Sequence, residues 1–203
     1  MNAKKHDIDL LNVPAPTAAD LDTLRVRLSE AAEHAGLLDI AYRTVDSPVG
    51  TLLLAATPAG AVRVAYEREG LDDVLTILAA RLSPRILTAP RRLDPLARQL
   101  EEYFAGKRKR FDVPVDLALA TGFRRRVLEY LPLISYGHTA SYAGVASGVD
   151  NPRAVRAVGT ACATNPLPLL LPCHRVIRAD GGMGEYLGGA QIKRQLLDLE
   201  AAA

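Results

Sequence analysis

Tryptophan is absent from this chain of 203 residues, and cysteine is nearly so, with two in all. Two cysteines, Cys162 and Cys173, cannot build the disulfide framework of a small secreted scaffold. Nor can they supply, with four histidines at unpaired spacings, the roughly four ligands of a structural zinc site. Long apolar runs are missing too. No stretch approaches the roughly 18 residues that a membrane span requires, and the N-terminus lacks the apolar core of a signal peptide. The formal net charge is only +2, a value that selects no partner. These absences lead to the expectation of a soluble, cytoplasmic protein with no membrane association, no metal and no other cofactor.

Apolar residues make up 49% of the chain, enough to bury the core of one large or two small domains. Cations are clustered, at Arg91–Arg92, at Lys107–Arg110 and at Arg124–Arg126, with Arg153, Arg156, Arg175 and Arg178 beyond. Each run reads either as a solvated face or as part of a surface for a polyanion.

Residues 1–38 read as an extension, 39–114 as an N-terminal domain and 115–203 as a C-terminal one. Within the extension, the segment from Met1 to Pro16 is polar and broken by prolines. "TAADLDTLRVRLSEAAEHAGLL" has helical periodicity, with Thr17 as N-cap and Leu21, Leu24, Leu28 and Ala31 or Ala32 on one face. "IAYRTVDSPVGTLLLAATPAGAVRVAYE" gives three apolar runs separated by the turn signals "DSPVG" and "TPAG", an antiparallel meander. Helices follow in "GLDDVLTILAARL", with an acidic first turn suited to its dipole, and in "DPLARQLEEYFAG", closed by Gly106. "FDVPVDLAL" is a strand-like linker, and "TGFRRRVLEYLPLI" a helix with Phe123, Val127, Leu128, Leu131 and Ile134 as its apolar stripe. One short helix then starts at Ser141, and a second spans Pro152 to Thr164 with Asn151 as cap and Pro152 in the first position. With the turn at "VDN" between them, the pair has the pattern of a helix-turn-helix. The fold class expected is α/β: a small antiparallel sheet with helices, then a mostly helical part.

Apart from two arginines, the second of those helices carries almost only small side chains, so its backbone can approach a partner closely. Tight helix packing and nucleic-acid binding both fit that pattern. Arg156, on a helix built for close approach, is the side-chain type most often inserted into a narrow minor groove.

"PLLLPCHRVI" reads as a short interior strand whose end carries a thiol, an imidazole and a guanidinium in succession. A cysteine reacts as its thiolate, which needs a base or a positive charge beside it. Neighbours in a strand point to opposite faces, so a water bridge between Cys173 and His174 fits better than direct contact. Glu200, at the end of an amphipathic helix, is a candidate to orient the imidazole. A disulfide to Cys162 and an inert buried cysteine stay open as other readings of Cys173.

"NPLPLLLPCHRVI", followed by "GGMGEYLGG", Lys193 and "LLDLE", resembles the active-site domain of the O6-alkylguanine-DNA alkyltransferases, and "SYAGVA" with "NPRAVRAVG" resembles their helix-turn-helix. The match runs from about Phe123 to Glu200. The meander is more loosely similar to the family's ribonuclease-H-like N-terminal domain, and residues 1–38 fall outside the resemblance. It implies a single-use DNA repair protein, a methylated-DNA-protein-cysteine methyltransferase that moves an alkyl group from O6 of guanine, and from O4 of thymine, to Cys173.

The partner implied is double-stranded DNA, bound by a monomer through the minor groove. Ala154, Ala157, Gly159 and Thr160 face the DNA, and Arg156 fills the gap left by a base rotated out of the stack. The resemblance makes Tyr142 the residue that turns the nucleotide and gives a proton toward guanine N3, and His174 the base acting through water, held by Glu200. Asn165 braces the turn before the active-site strand, Tyr186 walls the guanine pocket, backbone groups at Cys173 and Val176 read the guanine edge, and Lys193 organises the site. Glu185 departs from the family, which usually has glycine or asparagine there. Ser135 stands where proline is usual, "FRRRVLEYL" lacks the family's tryptophan, and no Cys and His cluster for the zinc of some relatives is present. Two alternatives are a non-catalytic sensor of alkylated DNA and a cysteine hydrolase. The first replaces the cysteine that is present here, and the second leaves the Arg156 helix without a role.

Overall fold

The computed structural model describes residues 15–202; most of the polar segment expected from Met1 to Pro16 lies outside them. Helix α1 spans Ala18–His34, and Thr17 caps it reciprocally with Asp20, each side chain accepting the other's backbone N–H. The periodicity is right, but the expected apolar face is not buried. Leu21, Leu24 and Leu28 are 41%, 54% and 57% exposed. Among the described residues, only the last turns meet the body: Ser29 is buried, Ala32 packs on the core, and Glu30 and Glu33 pair with Arg91 and Arg92.

The meander forms as β1 (Ile40–Val45), β2 (Leu52–Thr57) and β3 (Gly60–Tyr66), antiparallel throughout. A fourth strand, β4 (Ile86–Thr88), adds parallel to β1, so the order is β3-β2-β1-β4. At three residues it is too short to show periodicity, which is why the sequence did not mark it. Gly60, at φ 144°, is where the 113–116 segment runs parallel beside β3; a Cβ there would lie 2.4 Å from Pro114 O. That approach is the only strand pairing the strand-like linker makes among the described residues, a single parallel bridge from Ala61 to Val115.

Alternation along the strands divides the side chains between two cores. Ile40, Leu53, Ala55 and Val62 meet Val74 and Leu78 of α2 (Leu71–Arg81). Leu52, Leu54, Val64 and Tyr66 face the other way, into the main core that holds Leu96, Leu100 and Tyr103 of α3 (Asp94–Phe104). The same core takes in the C-terminal helices: α4 (Gly122–Tyr130), α5 (Tyr142–Gly148), α6 (Val155–Ala163) and α7 (Ala190–Ala201). Of the expected α4 stripe, Val127, Leu128, Leu131 and Ile134 are buried and Phe123 is half-buried.

Ser141 caps α5, its Oγ accepting Gly144 N–H at 2.9 Å, and Asp150 takes φ 57° in the turn that follows. Helix α6 starts three residues later than expected. The Asn151 carbonyl accepts Ala154 N–H at 2.9 Å, closing a turn over Pro152 and Arg153, and no side chain caps the helix. The strand expected before Cys173 is also absent. Pro166, Pro168 and Pro172 remove three amide donors from that run, and it folds instead as buried turns, with Leu169 at φ 75°. Cys173–Arg175 form one turn of 3-10 helix, and the strand, β6 (Val176–Ile177), comes after the cysteine, parallel to β5 (Ala140–Ser141).

Candidate active site

Everything from Asn165 to Val176 is buried, and Cys173 is 1% exposed. Its Sγ lies 3.1 Å from Asn165 Nδ2, which also donates to Leu171 O at 2.7 Å, while Asn165 Oδ1 accepts Leu167 N–H at 3.0 Å. One side chain therefore ties the end of α6 to the turns that present the thiol. Burial pushes the thiol up to about 11, against the downward pull of the Asn165 hydrogen bond and the Lys193 charge. The resting sulfur is a neutral thiol at neutral pH.

His174 follows in the same turn. Its Nε2 lies 2.8 Å from Glu200 Oε1, whereas its buried Nδ1 meets no hydrogen-bond partner among the described residues. Facing a carboxylate, Nε2 carries the proton, which leaves Nδ1 as the basic nitrogen. Burial lowers the imidazole's pKa, opposed by the hydrogen bond to Glu200. No hydrogen bond joins the sulfur to the ring among the described residues. The expectation that a strand would turn Cys173 and His174 to opposite faces has lost its premise, because both sit in a 3-10 turn.

Glu200, 3% exposed, collects five donors. Oε1 accepts from His174, from Arg175 Nη2 at 2.9 Å and from Tyr103 Oη at 2.8 Å; Oε2 accepts from Arg175 Nε at 2.8 Å and from Gly137 N–H at 3.1 Å. Burial would raise its pKa, but the His174 and Arg175 hydrogen bonds and charges outweigh that and hold it down at about 2. It is a carboxylate throughout the working range. Lys193, fully buried, donates to Val176 O at 2.6 Å and to Met183 O, fastening the loop that follows the active-site turn. Burial lowers the lysine's pKa. Tyr186 is 9% exposed, and its hydroxyl lies 2.7 Å from that of Tyr66 on β3.

Tyr142, Arg156, Gly159 and Thr160 line an opening of about 370 Å³, shared with Arg178, Gly184 and Glu185. Burial raises the Tyr142 phenol's pKa, so the hydroxyl stays a proton donor at neutral pH. Gly184, at φ 66°, lets the loop pass this ring, since a Cβ there would lie 2.7 Å from Tyr142 Oη. Ala157 is exposed on the outer face of α6 and Ala154 is half-buried at its start; neither lines the opening, and nor does Cys173. Glu185 and Arg178 are both exposed on its rim.

Cys173, His174, Glu200, Asn165 and Lys193 thus cluster in one buried site, with Tyr142 and Arg156 at the opening. Sequence reasoning did not give Tyr103 or Tyr66 a role, nor Arg175 its place on Glu200. Tyr103 belongs to the same helical stripe as Leu96 and Leu100, a pattern that reads as core. Both cysteines are free, which removes the Cys162–Cys173 disulfide. Among the described residues no group of three or more His, Cys, Asp or Glu could hold a metal ion, and no helix is long and apolar enough to cross a membrane.

The model of the 6-O-methylguanine DNA methyltransferase DNA-binding domain matches residues 122–202, and that of the same family's ribonuclease-like domain matches residues 40–117. The inducible methylated-DNA-protein-cysteine methyltransferase of Bacillus subtilis is 38% identical over 74% of this chain and 84% of its own. The methylated-DNA-protein-cysteine methyltransferase of Mycobacterium tuberculosis is 40% identical over 79% and 92%. Among solved structures, the O6-methylguanine methyltransferase of M. tuberculosis and the same organism's OGT in complex with DNA each superpose with a TM-score of 0.70 at 36% identity, covering 80% of this chain and 93% of theirs. The archaeal enzyme of Pyrococcus kodakaraensis, at 22% identity and a TM-score of 0.57, shares the fold.

Proposed function

This chain belongs to the 6-O-methylguanine DNA methyltransferase family, and from that premise we propose how its residues carry out DNA repair by alkyl transfer to a cysteine. Cys173 is the acceptor. A damaged guanine in duplex DNA, bound by a monomer through the minor groove on α6, rotates out of the stack into the opening beside Tyr142. Arg156 occupies the space it leaves, while Ala154, Ala157, Gly159 and Thr160 let the helix backbone approach. Val176 and the backbone at Cys173 read the guanine edge, against the wall that includes Tyr186.

The Cys173 proton passes through a water to Nδ1 of His174, whose Nε2–H is held by Glu200. The thiolate attacks the alkyl carbon, the sulfur–carbon bond forms and the carbon–O6 bond breaks. Guanine leaves with that electron pair and Tyr142 gives a proton toward N3. The product is a thioether, which water does not cleave, so one chain repairs one lesion. Asn165 and Lys193 hold the sulfur and the loop in place, O4-alkylthymine is a second substrate, and the cytoplasm is the site of action. Residues 39–114 and 115–203 work as the two domains, with 1–38 as an extension.

One observation carries this reading: the buried Cys173 thiol shares its turn with an imidazole whose Nε2 is fixed by Glu200 and whose Nδ1 meets no hydrogen-bond partner among the described residues. Intact-protein and peptide mass spectrometry after incubation with a duplex holding one O6-methylguanine tests it. The expected result is a single methyl on Cys173. An unmodified chain that still prefers the lesion duplex would make it a sensor and overturn the mechanism.

A further inference from the structure

A second groove, of about 300 Å³, lies between Arg63 on β3, Arg81 in the last turn of α2, Arg124 on α4, and Ala163 and Thr164 at the end of α6. None of its lining residues is acidic. Three arginines from three elements thus converge over an apolar floor of Val74 and Leu78. They differ in what already holds them. Arg63 is paired with Glu69 and donates to Asn165 O at 3.5 Å. Arg124 donates to Leu119 O with one nitrogen and reaches Thr164 Oγ1 at 3.4 Å with another. Arg81 is exposed, and its guanidinium makes no hydrogen bond or ion pair among the described residues.

This groove and the opening at Arg156 are neighbours, with Ala163 bordering both. The exposed side of α6 runs from Arg156 and Ala157 through Thr160 to Ala163 and Thr164, so it leads directly into the arginines. A helix seated in a minor groove has a sugar–phosphate rail passing each flank. A rail leaving the C-terminal end of α6 meets a concave surface with cationic walls and no acidic residue among those lining it. Guanidinium groups suit phosphate oxygens there, offering paired donors in a fixed fork.

We infer that this groove seats the sugar–phosphate backbone of one DNA strand beside the lesion, with Arg81 and Arg124 as its phosphate partners. The N-terminal, sheet-bearing half then takes a direct part in DNA binding. The inference rests on α6 being the minor-groove helix.

The test is fluorescence anisotropy of the full chain on a lesion-bearing duplex across a salt series, comparing Arg81→Gln, Arg81→Lys, Arg156→Ala and Arg91→Gln. Each phosphate contact contributes about 0.9 to the slope of log K against log salt. Arg81→Gln is expected to flatten that slope by about 1, and Arg81→Lys to retain it. Arg91, paired with Glu30 near the β4 edge and away from β3, controls for charge loss alone and should keep the slope. Arg81 is exposed, so its replacement leaves the fold intact. An unchanged slope in Arg81→Gln, or an equal fall in Arg91→Gln, overturns the inference. A slope lowered by Arg156→Ala but not by Arg81→Gln defeats only the groove; unchanged slopes in both defeat the α6 reading as well.

Discussion

The resting state of the proposed reactive pair is neutral on both sides. Burial raises the Cys173 thiol to about 11 and lowers the His174 imidazole below its ordinary value, so each holds its uncharged form at neutral pH. Transfer through a neutral base therefore gives a rate that is level across neutral pH. It falls on the acid side only below the ordinary imidazole range, where His174, its pKa lowered by burial, takes a proton. In His174→Gln, with the base removed, the rate should climb with pH toward about 11 as thiolate forms directly. A rising profile in the unsubstituted chain would rule out the relay. Cys173→Ser should lose all transfer by mass spectrometry while anisotropy shows duplex binding retained. Loss of both would make the cysteine a packing residue, since it has 1% exposure. These residues were legible because a thiol, an imidazole and a carboxylate are rare enough to be noticed. Tyr103 was not, since a tyrosine among leucines at helical spacing carries no mark of the hydrogen bond it makes to Glu200.

At the scale of elements, α6 and the sheet make separable predictions. Arg156→Ala should slow repair of duplex DNA far more than reaction with free O6-benzylguanine, measured as rate constants on the two substrates, because only the duplex has a gap to fill. Equal losses would assign the arginine to the pocket rather than to the DNA. In the sheet, Gly60→Ala places a methyl against Pro114 backbone at a positive φ, a clash that backbone movement alone relieves. A cost of about 1–3 kcal/mol is expected from overpacking, seen as a lowered midpoint in denaturant with repair chemistry unaltered below it. Sequence periodicity was enough for α2, α3, α4 and the meander, where burial follows the pattern. It failed in three places for distinct reasons. Three prolines turned an apolar run into coils rather than a strand. A turn closed by a carbonyl displaced the start of α6. The α1 stripe had the right period but no surface opposite it among the described residues, and nothing local encodes that.

For the whole molecule, the decisive side chain is one that both halves grip. Glu200 rides on α7, yet Tyr103 reaches it from α3, Gly137 from the loop before β5, and His174 and Arg175 from the active-site turn. Tyr66 on β3 likewise touches Tyr186. The proposed reacting centre is thus a junction, its full set of hydrogen bonds made only while sheet and helices are pressed together. Reactivity then becomes a gauge of that contact. A small parting of the halves would slacken the imidazole's anchor while every helix remains folded. In a thermal ramp, alkyl transfer should fade at a lower temperature than helical circular dichroism; coincident curves would show that the halves separate only when they melt. A protein that reacts once has no turnover to average over such lapses, so each chain's single event samples whether its halves were joined at that moment.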